Sequence, residues 1–268
     1  MPSMFVARDA ANYERLMGRW SRRLAPLFIA HAGIAAGERL LEIGCGTGGL
    51  TFALPQAADI ASLVAIDYSE VYLAAARAKN HDPRIRIERG DGTALRFADG
   101  SFDRALSMLV LPAVLPRPEL AVAEMRRVTR PGGVVCAAFW DSPGGAVANR
   151  MFWDTAAALD EAAAAARDRT LGRPIYAPGA LARVWADAGL VEIDERSLTV
   201  RMDFADFADY WEPYASGEGM LGAYVASLDE ARRDRLVRHL RSAYLCGRPD
   251  GPRSFAALAL SCHGVVPG

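Results

Sequence analysis

The chain has 268 residues, 51% of them hydrophobic and 24% charged, enough to fill the core of one large α/β domain or of a domain carrying an insertion. Its 31 Lys plus Arg against 32 Asp plus Glu leave a net charge of −1, which gives no electrostatic reason to expect a nucleic-acid or anionic-membrane partner. No run of about 18 apolar residues is present, and no charged segment followed by an apolar run opens the chain. The four cysteines show no metal-ligand spacing, so a reduced cytoplasmic protein without a metal centre is expected.

In chain order, residues 9 to 32 read as two short helices around Gly18 and Trp20, with Ser21 as a cap and Pro26 in the first turn of the second. Glu38 to Ile43 is a short apolar run ending in glycines, as in a buried strand, and Leu50 to Ala57 resembles a helix. Ser62 to Asp67 is a second strand, Ser69 to Lys79 a helix capped by Ser69, and Arg84 to Arg89 a third strand. Phe102 to Leu109, a helix over Glu119 to Val128, and a strand over Val134 to Trp140 continue the alternation. That rhythm predicts a doubly wound, mostly parallel sheet with helices on both faces.

Beyond Trp140 the pattern changes. A loop at residues 141–145 leads into a long alanine-rich helix through about Ala166, then a helix over Pro178 to Gly189 and an alternating strand over Leu190 to Val200. Residues 203 to 245 read as helical, and Ser254 to His263 as a last strand. The whole is an α/β, Rossmann-like, seven-stranded fold with N-terminal helices and a helical insertion before the final strand.

The segment that carries chemistry is Leu41-Glu42-Ile43-Gly44-Cys45-Gly46-Thr47-Gly48, placed between a predicted strand and a predicted helix. Gly44, Gly46 and Gly48 allow a sharp turn and leave room for a ligand, and the following amides favour an anionic group. Asp67 ends the second strand about 23 positions after Gly44. A carboxylate there can accept both hydroxyls of a ribose, or merely cap the helix that begins at Ser69. Gly44-x-Gly46-x-x-Gly49 also satisfies the dinucleotide fingerprint, so the glycines alone leave NAD and FAD open.

Further segments follow in a fixed order: Val64-Ala65-Ile66-Asp67-Tyr68-Ser69, Gly90-Asp91-Gly92-Thr93-Ala94-Leu95-Arg96-Phe97, Ser101-Phe102-Asp103-Arg104-Ala105-Leu106-Ser107, and Glu124-Met125-Arg126-Arg127-Val128-Thr129-Arg130-Pro131-Gly132-Gly133. Together over residues 38 to 140 they resemble the class I S-adenosylmethionine-dependent methyltransferases, and within them the quinone-biosynthesis-like type 11 group. Arg96, where that family often has Pro, and Gly92, where it has a small Ala, depart from the pattern.

The resemblance implies S-adenosylmethionine as cofactor. It places Gly44, Cys45 and Gly46 beneath the methionine portion, Asp67 on the ribose and Tyr68 over an adenine face. Asp91 and Gly92 fall at the adenine edge, Ser107 and Met108 against the ligand through their backbone, and Tyr13 over the cofactor from an N-terminal helix. Tyr68 reads equally as a half-exposed helix start, Asp91 as a turn cap, and Trp20 as an apolar anchor.

The acceptor chamber is expected beyond the carboxyl ends of the strands. Its candidate substrate-contacting residues are Trp20, Leu111, Trp140, Tyr210, Trp211 and Tyr214, with Phe139 and Phe207 as further wall candidates. Tyr210, Trp211 and Tyr214 also suit ordinary core packing. Asp203, Asp206, Asp209 and Glu212 read as a solvated helix face.

None of His31, His81, His239 or His263 stands out as a base, so the catalytic residue is left open. The expected organisation is an N-terminal helical lid over residues 1–36 and a methyltransferase domain over 37–268 with a cap insertion at about 203–250, acting on a small, apolar or aromatic organic acceptor as monomer or homodimer. Two rivals stand beside it. A nicotinamide-dependent oxidoreductase would need a pair such as Tyr-x-x-x-Lys, yet the only lysine, Lys79, has Ala75 four positions before it. A non-catalytic module that binds the cofactor and regulates a partner is the other.

Overall fold

A computed structural model describes residues 9–111 and 117–268. The first helical run is nearly continuous, which corrects the two-helix expectation. A short helix α1 (Ala10–Tyr13) passes into a π-helical turn (Glu14–Gly18) and then α2 (Arg19–Ala32). The run is capped by Asp9, whose carboxylate accepts from the N–H groups of Ala11 and Asn12. Ser21 is not the cap: its hydroxyl donates back to the Met17 carbonyl at 3.1 Å, within the helix. Pro26 sits inside α2 rather than at its start, so one backbone donor is missing mid-helix. Gly33, at φ +67, ends it in the left-handed conformation.

The sheet then builds strand by strand: β1 (Arg39–Ile43), β2 (Ser62–Asp67), β3 (Ile85–Arg89), β4 (Phe102–Met108) and β5 (Thr129–Trp140), all parallel. Between them lie α3 (Leu54–Ala57), α4 (Glu70–Lys79) and α5 (Pro118–Val128). The α3 helix is a single turn, shorter than expected, because residues 47–53 form a string of turns. Ser69 caps α4 as predicted, accepting from the Tyr72 N–H at 3.4 Å.

The alanine-rich stretch is two helices, α6 (Val147–Ala157) and α7 (Glu161–Leu171), separated where Asp160 caps the second by accepting from the Ala162 N–H. Then come α8 (Ala180–Asp187), β6 (Val191–Phe204), the three insertion helices α9 (Phe207–Ala215), α10 (Gly219–Ala226) and α11 (Glu230–Leu245), and β7 (Arg253–Val265).

The strand order is β3-β2-β1-β4-β5-β7-β6, with β7 antiparallel to both neighbours. Because side chains alternate across a strand, consecutive residues feed opposite cores. Leu40, Leu63 and Leu106 pack under α2, whereas Leu41, Val64 and Ala105 pack under α5 and α8. Leu40 and Leu41 are fully buried, and each such side chain contributes roughly 1.5–3 kcal/mol of transfer free energy. The consequence for function is positional: β1, β2, β4 and β5 all end at one edge, beneath α2 and α9.

Candidate active site

At that edge lies a cavity of about 440 Å³, within the range typical of small-molecule sites. One end is formed by the glycine loop and the ends of β2 and β3, and the other by aromatic and aliphatic side chains from β4, β5, α2, α9 and α10.

The glycine-loop end depends on backbone freedom at two positions. Gly44 has φ +76, and a Cβ there would come 2.1 Å from Val110 Cγ2. Gly46 has φ +54, and its missing Cβ faces the Tyr13 hydroxyl at 3.2 Å. Both conformations disfavour any side chain. Gly46 donates its N–H to Asp67 Oδ2 at 2.8 Å, and Ser69 donates to Asp67 Oδ1 at 2.8 Å. Asp67 therefore braces the loop and the start of α4 together, while its remaining lone pairs face the cavity. Burial raises its carboxyl above the ordinary range, and the bonds from Ser69 and Gly46 oppose that.

Asp91 lines the same end and accepts from both the N–H and the hydroxyl of Thr93; the hydroxyl bond chiefly holds its carboxyl below the usual range. Gly92 lies against Ile43, whose Cγ2 would be 2.5 Å from an added Cβ, so the departure from Ala at this position is matched by local packing. Tyr68 is 53% exposed, with the Arg89 guanidinium 5.1 Å from its ring centroid.

The N-terminal run closes over this end. The Tyr13 ring lies 4.5 Å from that of Tyr72. Tyr72 donates its hydroxyl to the wholly buried carboxylate of Glu218, at the start of α10, and the second Glu218 oxygen accepts from the Asp9 N–H at 3.1 Å. Glu14 accepts from Thr47 Oγ1 at 2.6 Å and from Lys79 at 3.0 Å. Lys79 is thus committed to the back of the glycine loop. Arg19 donates to Asp209 at 2.7 Å and lies over the Trp20 and Phe204 rings, tying α2 to α9.

The far end is walled by Met108, Leu111, Phe139, Trp140, Tyr210 and Tyr214, with Trp20 alongside. Leu109, which also faces it, holds φ +66 where β4 ends, an uncommon conformation for a branched aliphatic residue. The polar groups here are paired among themselves: Tyr176 donates to Ser142 at 3.2 Å, and Tyr214 to Asn149 at 3.2 Å. Burial raises the Tyr210 and Tyr214 hydroxyls above their ordinary values, so both remain neutral donors.

Tyr13, Gly44, Gly46, Asp67, Tyr68, Asp91, Gly92 and Met108 all face the cavity, as do Trp20, Leu111, Trp140, Tyr210 and Tyr214. Four expected residues do not. Cys45 is buried in the core under α2, and burial pushes its thiol well above the ordinary value. Ser107 is spent within the sheet, its hydroxyl donating to the Ile43 carbonyl at 3.2 Å. Trp211 packs against the hydrophobic core, and Phe207, the further wall candidate, stacks on Tyr210 and Tyr244.

The acidic run does face solvent, Asp203 from the end of β6 and the others from the start of α9, and its members are paired at the surface. Asp203 pairs with Arg23, Asp206 caps α9 by accepting from the Asp209 N–H, Asp209 holds Arg19, and Glu212 lies 3.7 Å from Arg15. Sequence reasoning missed Tyr72, Tyr176, Asn149 and Glu218. No motif flags them, although the glycines flanking Glu218 both take a positive φ.

The seven-stranded order with β7 inverted beside β5, and a glycine loop braced by the acid ending β2, define the class I methyltransferase architecture. Residues 41–137 match the methyltransferase domain family. The chain is similar to a demethylmenaquinone methyltransferase of Renibacterium salmoninarum, 38% identical over 135 residues, covering 50% of this chain and 54% of the relative. It is also similar to a phosphatidylethanolamine N-methyltransferase of Cereibacter sphaeroides, 36% identical over 129 residues, covering 47% of this chain and 61% of the relative. It thus spans only part of the relatives it matches. In fold it resembles Haemonchus contortus phosphoethanolamine N-methyltransferase 2, solved with S-adenosyl-L-methionine, at a TM-score of 0.60 and 16% identity over 97% of this chain and 57% of that one.

Proposed function

We propose that this protein transfers the methyl group of S-adenosylmethionine to a small, uncharged, apolar or aromatic acceptor. One observation carries the reading: a single cavity joins the Gly44–Gly46 loop and Asp67 to a chamber of aromatic and aliphatic side chains. The first end suits the cofactor. Asp67 offers acceptor capacity to ribose hydroxyls, Asp91 and Gly92 border the adenine side, and Tyr13 covers Gly46.

The cofactor supplies an electrophilic methyl on a sulfonium, and the transfer is an in-line displacement. What remains for the chain is to orient the acceptor and keep water out. The wall of Phe139, Trp140, Tyr210 and Tyr214 serves both ends. The helices of residues 10–32 form the lid, and the insertion at about 203–250 forms the cap. No histidine among the described residues lines the cavity, so an acceptor that needs no strong base suits it best.

The acceptor's class follows from charge. Arg19, Asp67 and Asp91 are the charged side chains on the described wall. Asp67 and Asp91 belong to the cofactor end, and Arg19 is engaged by Asp209. Among the described residues, a phosphate-bearing amine would find no uncommitted cation for its phosphate. A quinol or phenol ring matches the apolar wall, and its oxygens could exchange for the present partners of the neutral Tyr176 and Ser142 hydroxyls or the Asn149 amide.

The test is calorimetric titration with S-adenosylmethionine, S-adenosylhomocysteine and NAD, followed by mass-spectrometric assay of methyl transfer to quinols, phenols and phosphoethanolamine. Binding of the first two and transfer to a ring acceptor are expected. NAD binding without adenosylmethionine binding overturns the reading, and preference for phosphoethanolamine overturns the acceptor class.

A further inference from the structure

On the antiparallel side of the sheet, away from the cavity, three potential metal ligands from distant parts of the chain meet. Asp194 on β6 and His263 on β7 are direct cross-strand partners, so their side chains leave the same face of the sheet. His31, near the C-terminal end of α2, is laid over that face, its ring stacked on that of His263 with centroids 5.0 Å apart. One donor atom from each of His31, Asp194 and His263 falls within 4.8 Å of the other two.

The ring nitrogens are sorted as metal-binding imidazoles usually are. His263 Nδ1 lies 3.2 Å from the His31 carbonyl oxygen, to which it can only donate, and this leaves Nε2 with its lone pair. His31 Nδ1 lies 2.7 Å from Ser261 Oγ. His31 Nε2 is then the atom in need of an explanation. The side chain is only 2% exposed, yet Nε2 reaches the Asp194 carboxylate only at 3.5 Å, the limit of a hydrogen bond. A buried polar atom so weakly partnered is costly, and a bound ion is one ordinary way to satisfy it.

We propose that His31, His263 and Asp194 form a site for a single divalent transition ion of the zinc type, one that pins α2 to the β6–β7 edge. Two imidazoles and one carboxylate suit zinc, cobalt or nickel rather than magnesium or calcium. Ligand bonds of about 2.0–2.2 Å require donors roughly 3.4 Å apart, so the three side chains draw together by small rotations about their side-chain bonds. Arg196, which holds Asp194 at 2.6 Å and is 62% exposed, swings out to solvent as the ion takes the carboxylate. Three protein ligands leave a further coordination position for water. The α2 helix also carries Arg19 and Trp20 into the cavity wall, so the site fixes the helix whose other end closes the active site.

The experiment uses the full chain, stripped with a chelator and titrated with Co²⁺ and then Zn²⁺. One equivalent of Co²⁺ should bind with visible d–d absorption and no thiolate charge-transfer band, which separates this site from the cysteines. Zn²⁺ should displace it and raise Tm by roughly 5 °C. His263→Gln and Asp194→Asn, both at half-buried positions, should abolish the cobalt spectrum and the shift while leaving the metal-free Tm within about 2 °C; Cys246→Ser should change nothing. No stoichiometric binding by the parent chain overturns the proposal, as does binding that survives both variants. Each readout is independent of methyl transfer and of cofactor binding.

Discussion

Asp67 Oδ2 accepts a hydrogen bond from the Gly46 N–H at 2.8 Å, so the residue proposed to grip the ribose also fixes the loop beneath the rest of the cofactor. Replacing it has two effects that can be measured apart. Asp67→Ala should weaken S-adenosylmethionine binding by about 1–3 kcal/mol, the usual loss for hydrogen bonds to a charged group. It should also lower Tm by freeing the N–H groups of Gly46 and Ser69. Calorimetry and thermal unfolding read these separately, and an unchanged affinity removes Asp67 from the ribose role.

Gly44 and Gly46 should respond differently to alanine. At Gly44 the new methyl meets Val110 Cγ2 at 2.1 Å in a left-handed conformation, and destabilisation of about 2–4 kcal/mol is expected. At Gly46 the nearest atom is the Tyr13 hydroxyl at 3.2 Å. A smaller stability loss, about 1–2 kcal/mol, should accompany a larger loss of cofactor affinity. Urea unfolding beside a binding titration separates the two, and equal effects on both quantities would count against a ligand lying over Gly46.

The Arg19–Asp209 pair, with side chains 25% and 33% exposed, joins the N-terminal helix to the insertion. Discounted for partial solvent screening, its loss should cost about 1 kcal/mol. Asp209→Asn should accelerate amide hydrogen exchange in residues 10–32 and in α9 while leaving β1, β2 and β4 unchanged. Uniform acceleration across the sheet would show that the pair supports the whole fold rather than the closure.

Glu42, 2% exposed in β1 and accepting from Thr51 Oγ1 at 2.6 Å, has its carboxyl raised to about 8 by burial from an ordinary 4.5. Between those pH values the folded chain keeps a proton that the unfolded chain has released, so stability falls as pH rises from 4.5 towards 8 and levels off beyond. Glu42→Gln lacks this loss. Its stability relative to the parent should rise between pH 5 and pH 8.5 by an amount on the order of 3–5 kcal/mol. Parallel urea midpoints at the two pH values would show that Glu42 ionises normally.

Local signals found the elements that local forces make. Leu40 to Ile43 and Leu63 to Ile66 are buried at every position, all but Glu42 apolar, because both faces of their strands are covered, and Ser69 caps as its hydroxyl dictates. Elsewhere a local rule was overridden. Gly18 read as a break with Pro26 in the first turn of a new helix, yet the run from Ala10 to Ala32 stays helical because Trp20, Leu24 and Phe28 bury one face of it. The alanine stretch looked uniform, although Asp160 inside it was a cap waiting to be read.

At the site, the glycines and Asp67 were legible because backbone geometry demands particular residue types there. Cys45 stood in the right segment but its side chain points into protein, a distinction set by loop curvature. The bond from Tyr72 to Glu218 spans 146 positions, and no local pattern could announce it.

The insertion of β7 between β5 and β6 sets an order of events for a chain emerging from a ribosome. Until residues 253–265 are made, β5 presents a bare row of amides and carbonyls, and β6 has no strand beside it. The parallel half can assemble early, but the antiparallel half has to wait for a segment far along the chain, the kind of long-range pairing that slows folding. A nascent chain stalled before Arg253 is therefore the form most exposed to edge-to-edge association and to chaperone capture.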